Sequence, residues 1–348
     1  MSLQRRRMMM QSSVGGIDPN NPIFANYLTI EALEDGLTVS LSRSATEYCI
    51  DGSGEWVGLP AATATPAVSA GHYVSFRGSV TPANYYGVGT FTINKKCNLL
   101  GNCMSLLFKD SAATNMSLAG KNYAFYELFK GASTVIGVSA NFLPATVLAN
   151  YCYNYMFRDC TSLTTAPDLP ALSATQNCYA YMFYGCSNLA TAMAVLPATS
   201  TADASYNCMF SDCSSLTTAP AISATSLATN SCNSMFSDCT SLTTAPAISA
   251  TSIDKYACGY MFSDCTSLTT APLLAPTTLA EGCYSSMFNG CSKLNYIKAL
   301  FTTTPSSTYT NNWVKGVASR GTFVKSRSAT WNVTGVYGSP KGWTIQKE

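Results

Sequence analysis

Residues 152–167 read CYNYMFRDCTSLTTAP, and close variants of this stretch return five more times towards the C-terminus. The methionines of successive copies are 26, 27, 26, 26 and 26 residues apart. They are Met156, Met182, Met209, Met235, Met261 and Met287. A unit of this length buries too few large side chains to offset the entropy lost on ordering its backbone, so it cannot fold alone. The sequence therefore predicts coils that stack into a solenoid.

Within one copy the pattern of apolar residues changes from one in every four, as in a helix, to a pattern that is typical of a strand. Cys152, Met156 and Cys160 lie at i, i+4 and i+8, as on one face of a short helix. Leu163 to Ala166 then predicts a short strand, which Pro167 ends because proline has no N–H to donate. We expect a leucine-rich-repeat-like solenoid of mixed α/β class with short parallel strands. Its predicted core consists of Met156, Phe157, Cys160, Leu163, Met182, Phe183, Cys186, Leu189, Met209, Phe210, Cys213, Leu216, Met235, Phe236, Cys239, Leu242, Met261, Phe262, Cys265, Leu268, Met287, Phe288, Cys291 and Leu294.

The chain divides into four predicted regions. Residues 1–23 form an N-terminal arm, and residues 24–98 form a small all-β sandwich. Residues 99–295 form the solenoid, with two degenerate coils around 107–110 and 128–131 before the six regular ones. Residues 296–348 form a C-terminal cap with strands at 322–325 and 342–345 and a short helix at 312–317.

The sandwich is predicted from short alternating runs joined by turn residues. Asp35-Gly36 separates residues 27–31 from residues 37–41, which is typical of a hairpin. Residues 48–50 and 56–59 flank a second turn, and further strands are expected at 72–77 and 87–93. Six such strands are typical of a small sandwich.

Composition excludes several classes of protein. The 348 residues carry a formal net charge of +2 and only 11% charged residues, so no basic stripe is available to bind nucleic acid. No apolar run reaches the length of a membrane-spanning helix. Arg5, Arg6 and Arg7 resemble the basic start of a signal peptide, but Gln11 follows where its apolar core is required. We therefore expect no ordinary secretory export.

Fifteen cysteines raise two interpretations, a disulfide framework and a column of buried thiols. Six of them follow the repeat, so stacked coils bring them within bridging distance of each other. Their side chains would point the same way in register, which makes the disulfide torsion hard to reach. Buried free thiols, acting as small hydrophobes, are favoured.

Catalytic and metal-binding residues are sparse. His72 is the sole histidine, so any histidine-dependent catalytic or metal site would rest on one residue of a predicted strand. Asp159, Asp212, Asp238 and Asp264 form a column that is compatible with calcium. Gly131, Gly185 and Gly290 share this column, which favours a turn with positive φ instead. We expect no catalytic residue, metal or cofactor.

Threonine pairs at 164–165, 217–218, 243–244 and 269–270 allow an ice-binding ladder or ordinary strand filling. Neighbouring residues of a strand face opposite ways, so we expect at most one of the two columns to face outward. Strand filling by a β-branched residue is the favoured interpretation.

Tyrosines give the most plausible binding surface. Tyr153, Tyr179, Tyr206 and Tyr284 share one column that is expected to pack inward on the repeat phenylalanines. Tyr155, Tyr181 and Tyr260 share a second column, which also accepts serine and is expected to face outward. These three are the candidate ligand contacts, because tyrosine offers a flat apolar face with a polar tip.

The repeated Met-Phe-x-x-Cys-x-x-Leu-Thr-x-Ala-Pro unit, with Leu-Pro-Ala-Thr at 143–146 and 196–199, resembles BspA-like, Treponema-type leucine-rich repeats of Bacteroidetes surface proteins. The resemblance covers residue 123 to about 294, and residues 48–56 and 343–345 are similar to segments that accompany such repeats. It implies adhesion or surface recognition. Surface members are normally exported, whereas the Arg-Arg-Arg-Met-Met-Met start resembles reading frames of Bacteroides phages and prophages.

Taken together, these features predict a non-enzymatic recognition protein of a phage virion, as a fibre, tail or decoration protein, or of a prophage. Its solenoid would bind host surface glycan or protein, and Arg5, Arg6 and Arg7 would anchor it to other virion proteins. Self-association into a homo-oligomer is a further option. The location would be the virion or the host-cell exterior. A BspA-like bacterial adhesin is the first alternative and a solenoid glycan lyase the second.

Overall fold

The computed structural model describes residues 17–44, 46–82 and 86–348. The predicted anchoring residues Arg5, Arg6 and Arg7 lie outside these ranges. The described part is mostly β, and its helices are short. The α-helices are α1 (Pro22–Asn26), α2 (Ser105–Phe108) and α3 (Ser307–Thr310), and 3-10 turns occupy Lys109–Ser111 and Ala140–Phe142.

The N-terminal region contains two sheets. Its strands are β1 (Leu28–Ala32), β2 (Val39–Leu41), β3 (Thr46–Ile50), β4 (Val57–Leu59), β5 (Tyr73–Arg77), β6 (Phe91–Ile93), β7 (Cys97–Leu100) and β8 (Val135–Val138). Six of them form one sheet in the order β4-β3-β5-β1-β7-β8, and β2 and β6 form an antiparallel pair. Phe76 and Phe91 meet edge to face at 5.2 Å, so the two sheets share one core.

One predicted hairpin is confirmed and the other is wrong. β3 and β4 pair antiparallel, with Tyr48 opposite Val57. β1 does not pair with β2, because it lies between β5 and β7 in the larger sheet. Leu28, Thr29 and Ile30 are all fully buried, so β1 needs cover on both faces. The turn at Asp35-Gly36 therefore leads β2 into the smaller sheet instead of alongside β1.

A β-solenoid of about seven turns occupies residues 173–347, which confirms the predicted stacking. Its strands are β9 (Ser173–Ala174), β10 (Val195–Leu196), β11 (Ser200–Thr201), β12 (Ala221–Ile222), β13 (Ser226–Leu227), β14 (Ser252–Ile253), β15 (Tyr296–Ala299), β16 (Thr322–Lys325) and β17 (Thr344–Lys347). All pairings among them are parallel and place equivalent residues of successive coils side by side.

The solenoid and the N-terminal sheet share one continuous row of hydrogen bonds. The amide of Thr164 donates to the carbonyl of Ile136, on β8, at 3.0 Å. Single-residue bridges then run from Thr165 through each coil to Tyr296, where β15, β16 and β17 continue the row. The predicted strand at 322–325 is confirmed as β16, and β17 begins two residues later than expected.

The helix predicted for each coil is wrong. Within residues 143–306, all of which the structure describes, the chain forms no helix, and every fourth residue of the 151–159 stretch and its equivalents has positive φ. The amides of this stretch alternate between two partners. Tyr153 N donates to Cys178 O in the next coil at 3.0 Å, whereas Asn154 N donates to Tyr151 O at 3.3 Å. This ribbon of turns keeps the four-residue apolar spacing of a helix but leaves every second N–H to bind the neighbouring coil.

The repeat phenylalanines form a ladder of stacked rings through the core. Centroids of successive rings lie 5.3 to 5.8 Å apart from Phe91, on β6, to Phe288. Phe129, from the predicted degenerate coil at 128–131, belongs to the ladder. Phe108 does not, because residues 105–111 form α2 and a 3-10 turn and Phe91 takes the ladder position. Trp313 closes the far end at 6.2 Å from Phe288.

The residues predicted for the core lie inside it, and the repeat cysteines form a column of thiols. All 24 predicted core residues are fully buried, and all fifteen cysteines are free thiols. Each thiol of the repeat column donates to a phenylalanine carbonyl in the preceding coil, as Cys186 Sγ does to Phe157 O at 3.0 Å. Burial raises the pKa of the Cys160 thiol well above its usual value. These cysteines are therefore unreactive core residues that also satisfy a carbonyl.

Candidate functional site

Half-exposed tyrosines gather where the ribbon of turns begins. We call this surface the tyrosine patch, and it comprises Tyr123, Tyr126, Tyr151, Tyr155, Tyr181, Tyr184 and Arg158. Tyr155 and Tyr181 have φ values of 59° and 55° at the same position of consecutive coils. They carry their rings outside the core that Met156 and Met182 fill.

The rings of the patch are ordered by stacking. The centroids of Tyr155 and Tyr181 lie 4.8 Å apart with 13° between the ring planes. Tyr123 and Tyr151 stack beside them at 4.6 Å and 10°. Tyr126 lies edge-on to Tyr155 at 5.7 Å, which joins the two stacks. Such contacts fix aromatic side chains in place before any ligand binds.

Two cations lie over the rings, each paired with a carboxylate. The guanidinium of Arg158 is 5.4 Å from the Tyr155 centroid and 5.0 Å from that of Tyr184. Its Nε is 3.2 Å from Asp159 Oδ2. Lys130 Nζ is 5.8 Å from the Tyr155 ring and 2.6 Å from Glu127 Oε1. The patch is thus aromatic and polar with little net charge, which suits a ligand that has apolar faces and hydroxyl or amide groups.

Three hydroxyl groups of the patch, those of Tyr126, Tyr155 and Tyr184, stay protonated at neutral pH. Burial raises the pKa of Tyr155, and it raises that of Tyr126 to about 12. A hydrogen bond to Asp212 raises the pKa of Tyr184. A tyrosine that acts as a catalytic base needs a lowered pKa. The arrangement therefore favours hydrogen-bond donation over proton abstraction.

The structure brings together two of the three candidate contacts. Tyr260 shares the column of Tyr155 and Tyr181, but Cys208 and Ser234 lie between them. Its side chain is 47% exposed. Sequence reasoning missed Arg158 and Tyr184, which occupy one repeat position in adjoining coils. The sequence did contain a signal for them, because both lie three residues after a tyrosine of the Tyr155 column.

The other tyrosine column is structural, as predicted. Tyr153, Tyr179, Tyr206 and Tyr284 are buried. Tyr153 and Tyr179 stack at 5.8 Å, and Tyr179 and Tyr206 stack at 5.7 Å.

The Asp column occupies the predicted turn position. Asp159, Asp212, Asp238 and Asp264 have φ between 58° and 61°. A Cβ on Gly185 would lie 2.4 Å from Asp159 Oδ1, so the aspartate of one coil covers the glycine of the next. Among the described residues, no three carboxylate, thiol or imidazole groups converge in a way that could hold a metal ion.

The prediction that at most one column of the threonine pairs faces outward is wrong. Thr217 and Thr218 are both exposed, as are the pairs at 243–244 and 269–270. Adjacent coils touch here through one bridge residue, Thr218 to Thr244, so no pleat forces the two side chains to opposite faces.

His72 lies far along the chain from the patch, in the N-terminal sheet region. Its Nδ1 is 2.7 Å from Asp51 Oδ2, and the pair is partly exposed. It immediately precedes β5, so it lies one residue outside the strand in which it was predicted.

None of the helices in the described residues is long and apolar enough to cross a membrane. Comparisons with protein-family models, with curated proteins and with solved structures give no match.

Proposed function

We propose that the protein is a non-enzymatic recognition protein whose tyrosine patch binds a host-surface glycan or protein. The observation that carries this proposal is the stack of Tyr155 on Tyr181 beneath the guanidinium of Arg158. Partly exposed rings held in a fixed stack present an ordered row of ring edges and hydroxyl groups, which suits a sugar ring or a protein side chain that has apolar and polar groups side by side. The protonated hydroxyls supply donors at the rim.

The proposed setting is a phage virion or a prophage product, with the coils as BspA-like leucine-rich repeats. The repeat unit and its prolines support the repeat family, and the resemblance of the Arg-Arg-Arg-Met-Met-Met segment at residues 5–10 supports the phage origin. A bacterial surface adhesin of the same repeat type is the alternative. Mass spectrometry of purified virions and of host outer-membrane fractions distinguishes them, since presence in the membrane fraction alone would contradict the phage setting.

Substitution within the column tests the patch. The double variant Tyr155→Ser and Tyr181→Ser introduces a residue that the same column already holds at Ser234 and Ser286. We expect its affinity for Bacteroides cell-surface glycan or outer-membrane protein to fall about tenfold or more, because two rings and their hydroxyl groups are lost. Binding is measured on a glycan array and on outer-membrane extract by surface plasmon resonance.

Tyr260→Ser is the matched control. It removes an exposed tyrosine from the same column outside the patch, so affinity should change less than twofold. Equal losses in the control and the double variant would contradict the patch as the binding surface.

The solenoid lyase is disfavoured by the raised pKa of Tyr126 and Tyr155. Prolonged incubation with acidic polysaccharides should release no unsaturated sugars. Their appearance would contradict the non-enzymatic proposal.

A further inference from the structure

One edge of β17 is free at the C-terminal end of the solenoid. The amides of Thr344 and Glu348 donate to carbonyls of the β16 coil at 2.9 and 3.0 Å. The backbone groups of Ile345 and Lys347 alternate with these, so they point away from β16. Among residues 17–44, 46–82 and 86–348, no strand bonds to that edge. β17 therefore offers unused donors and acceptors to a further strand.

The core side of β17 is also uncovered. Ile297, Phe323 and Ile345 lie at matching positions of β15, β16 and β17. Ile297 and Phe323 are fully buried, whereas Ile345 is 43% exposed. Val336 and Tyr337, which precede β17 in the same coil, are exposed as well. A coil that leaves a residue of the core column exposed can accept another layer.

The same end of the molecule is strongly basic, although the whole chain is nearly neutral. Residues 293–348 contain eight lysines and arginines and one acidic residue, which gives a net charge of +7. Six of these cations are exposed and have no ion pair within the described part of the chain: Lys293, Lys315, Arg320, Arg327, Lys341 and Lys347. A partner that covers this end must therefore supply acidic groups, and two copies of this end would repel each other.

The strand at the opposite end of the molecule has complementary properties. β4 bonds to β3 alone among the described strands, so the row of hydrogen bonds that runs through the molecule has β4 at one end and β17 at the other. No residue of β4 is charged, and Val57 is 50% exposed. Both ends of the row are thus edge strands with an exposed β-branched side chain.

Acidic groups lie around β4. Residues 17–111 contain eight acidic and five basic residues, a net charge of −3. Glu55, two residues before β4, is exposed and forms no ion pair in the described ranges. Asp18 is also exposed, and the bond from Asn21 Nδ2 to Gly52 O, at 2.9 Å, brings its segment against the turn between β3 and β4. The cations on β5 and on the turn after α2 are already paired with carboxylates.

We propose that the C-terminal end of one molecule binds the β4 edge of a second copy, head to tail. β17 and β4 would pair as neighbouring strands, so the row of hydrogen bonds would continue from one molecule into the next. The contact would bury Ile345 and Val57, and the unpaired cations would face Asp18 and Glu55. Because the two surfaces differ, the contact does not close on itself, and copies add one after another.

Sedimentation velocity of the full chain tests this contact. The chain is measured at concentrations from about 5 to about 500 µM, at low and at high salt. The mean mass should rise with concentration beyond that of a dimer. The apparent dissociation constant should increase about tenfold or more at high salt, because salt screens the opposite charges of the two ends.

Two variants block one end each. Ile345→Pro removes an N–H from the free edge, where proline is tolerated, and Val57→Lys places a cation on the β4 edge. Each variant alone should be monomeric. An equimolar mixture should form a one-to-one complex and nothing larger, because β17 is intact in one variant and β4 in the other. Leu172→Lys is the matched control, since it changes a side chain that is 65% exposed on the flank of the solenoid, and it should associate like the parent chain.

Four results would overturn the proposal. A monomer at every concentration would exclude a second copy as the partner, and dimers that persist in Val57→Lys would show a symmetric contact. Absence of a complex in the mixture would contradict the pairing of β17 with β4, and association that salt does not weaken would contradict the charge complementarity. If Ile345→Pro melts well below the parent chain, the double variant Lys341→Glu and Lys347→Glu replaces it, because both side chains are exposed. The contact does not use the tyrosine patch, so its failure would leave the proposed binding surface untouched.

Discussion

At the residue scale, Asp238 shows what it costs to place a carboxylate at the same position of three successive coils. Burial, followed by the carboxylates of Asp212 and Asp264, raises the pKa of Asp238, although a hydrogen bond from Ser237 opposes the shift. A raised carboxyl pKa means that the contribution of this group to stability is present below its unfolded value and is lost as pH rises through its folded value. At pH 7 the ionised side chain therefore destabilises the fold.

We expect Asp238→Asn to raise the free energy of unfolding at pH 7 by roughly 0.3–0.5 kcal/mol, a small gain because the site is partly solvated. Asparagine also tolerates positive φ. The gain should shrink below about pH 5 and disappear near pH 3, where aspartate is mostly neutral. Urea titrations across this pH range measure it. Asp159→Asn serves as the control: Asp159 contacts Arg158 and covers Gly185, so the change should bring no gain. A gain that persists at low pH would contradict the electrostatic cause.

The sequence predicted the backbone conformation of some single residues correctly, but it did not predict the contacts of others. Exchange of Asp159 with Gly185 predicted positive φ correctly, because few residue types accept that conformation. The pairing of Arg158 with two tyrosine rings was not predictable. It depends on which side chains of neighbouring coils share one outer face, and a period of 26 residues does not specify that.

At the element scale, the ribbon of turns explains the failed helix prediction. Apolar residues every four positions fit a helix, but they also fit a chain that returns to positive φ every four residues. The neighbouring positions Asn177, Asn230 and Gly282 carry the distinguishing signal, since each favours positive φ. Helical spacing alone could not reveal it, because the core face is the same in both structures.

Ser234, with φ of 53°, distinguishes ribbon from helix. We expect Ser234→Gly to stabilise the protein by about 0.5–1 kcal/mol and Ser234→Val to destabilise it by about 1–2 kcal/mol. Both variants lose the same hydrogen bond to Asn233, so their difference reports backbone strain. In a helix both substitutions would lower stability. Chemical denaturation of the two variants measures these changes in stability. A loss of stability in Ser234→Gly would contradict the ribbon of turns.

At the scale of the whole molecule, stacking followed from the repeat, whereas the join to the N-terminal sheet did not. The strands of that sheet pair over long sequence separations, as β1 does with β5 and β7, and local turn signals do not specify such pairings. Phe91 gave no sign in the sequence that it begins the phenylalanine ladder, because it lies outside the periodic stretch.

Removal of one whole coil tests the stacked architecture. Deleting residues 236–261 joins Met235 to Phe262 and preserves the motif and every inter-coil register. We expect a folded protein about 5 Å shorter by small-angle scattering, with one cooperative but weaker unfolding transition. Deleting residues 236–248 removes half a coil, so buried and exposed positions no longer align and the solenoid should lose its fold. Equal tolerance of both deletions would contradict the register.

The direction of the bonds between coils has a mechanical consequence. Those bonds run from one coil to the next, along the line on which the coils are stacked. Tension applied between the two ends would load the rows in series, so the outermost coil would peel away before its neighbours yield. A sideways pull would instead be shared by many rows at once. A particle tethered through this protein would therefore be held firmly against shear. Under axial tension the protein would instead lengthen as its coils unfold one at a time.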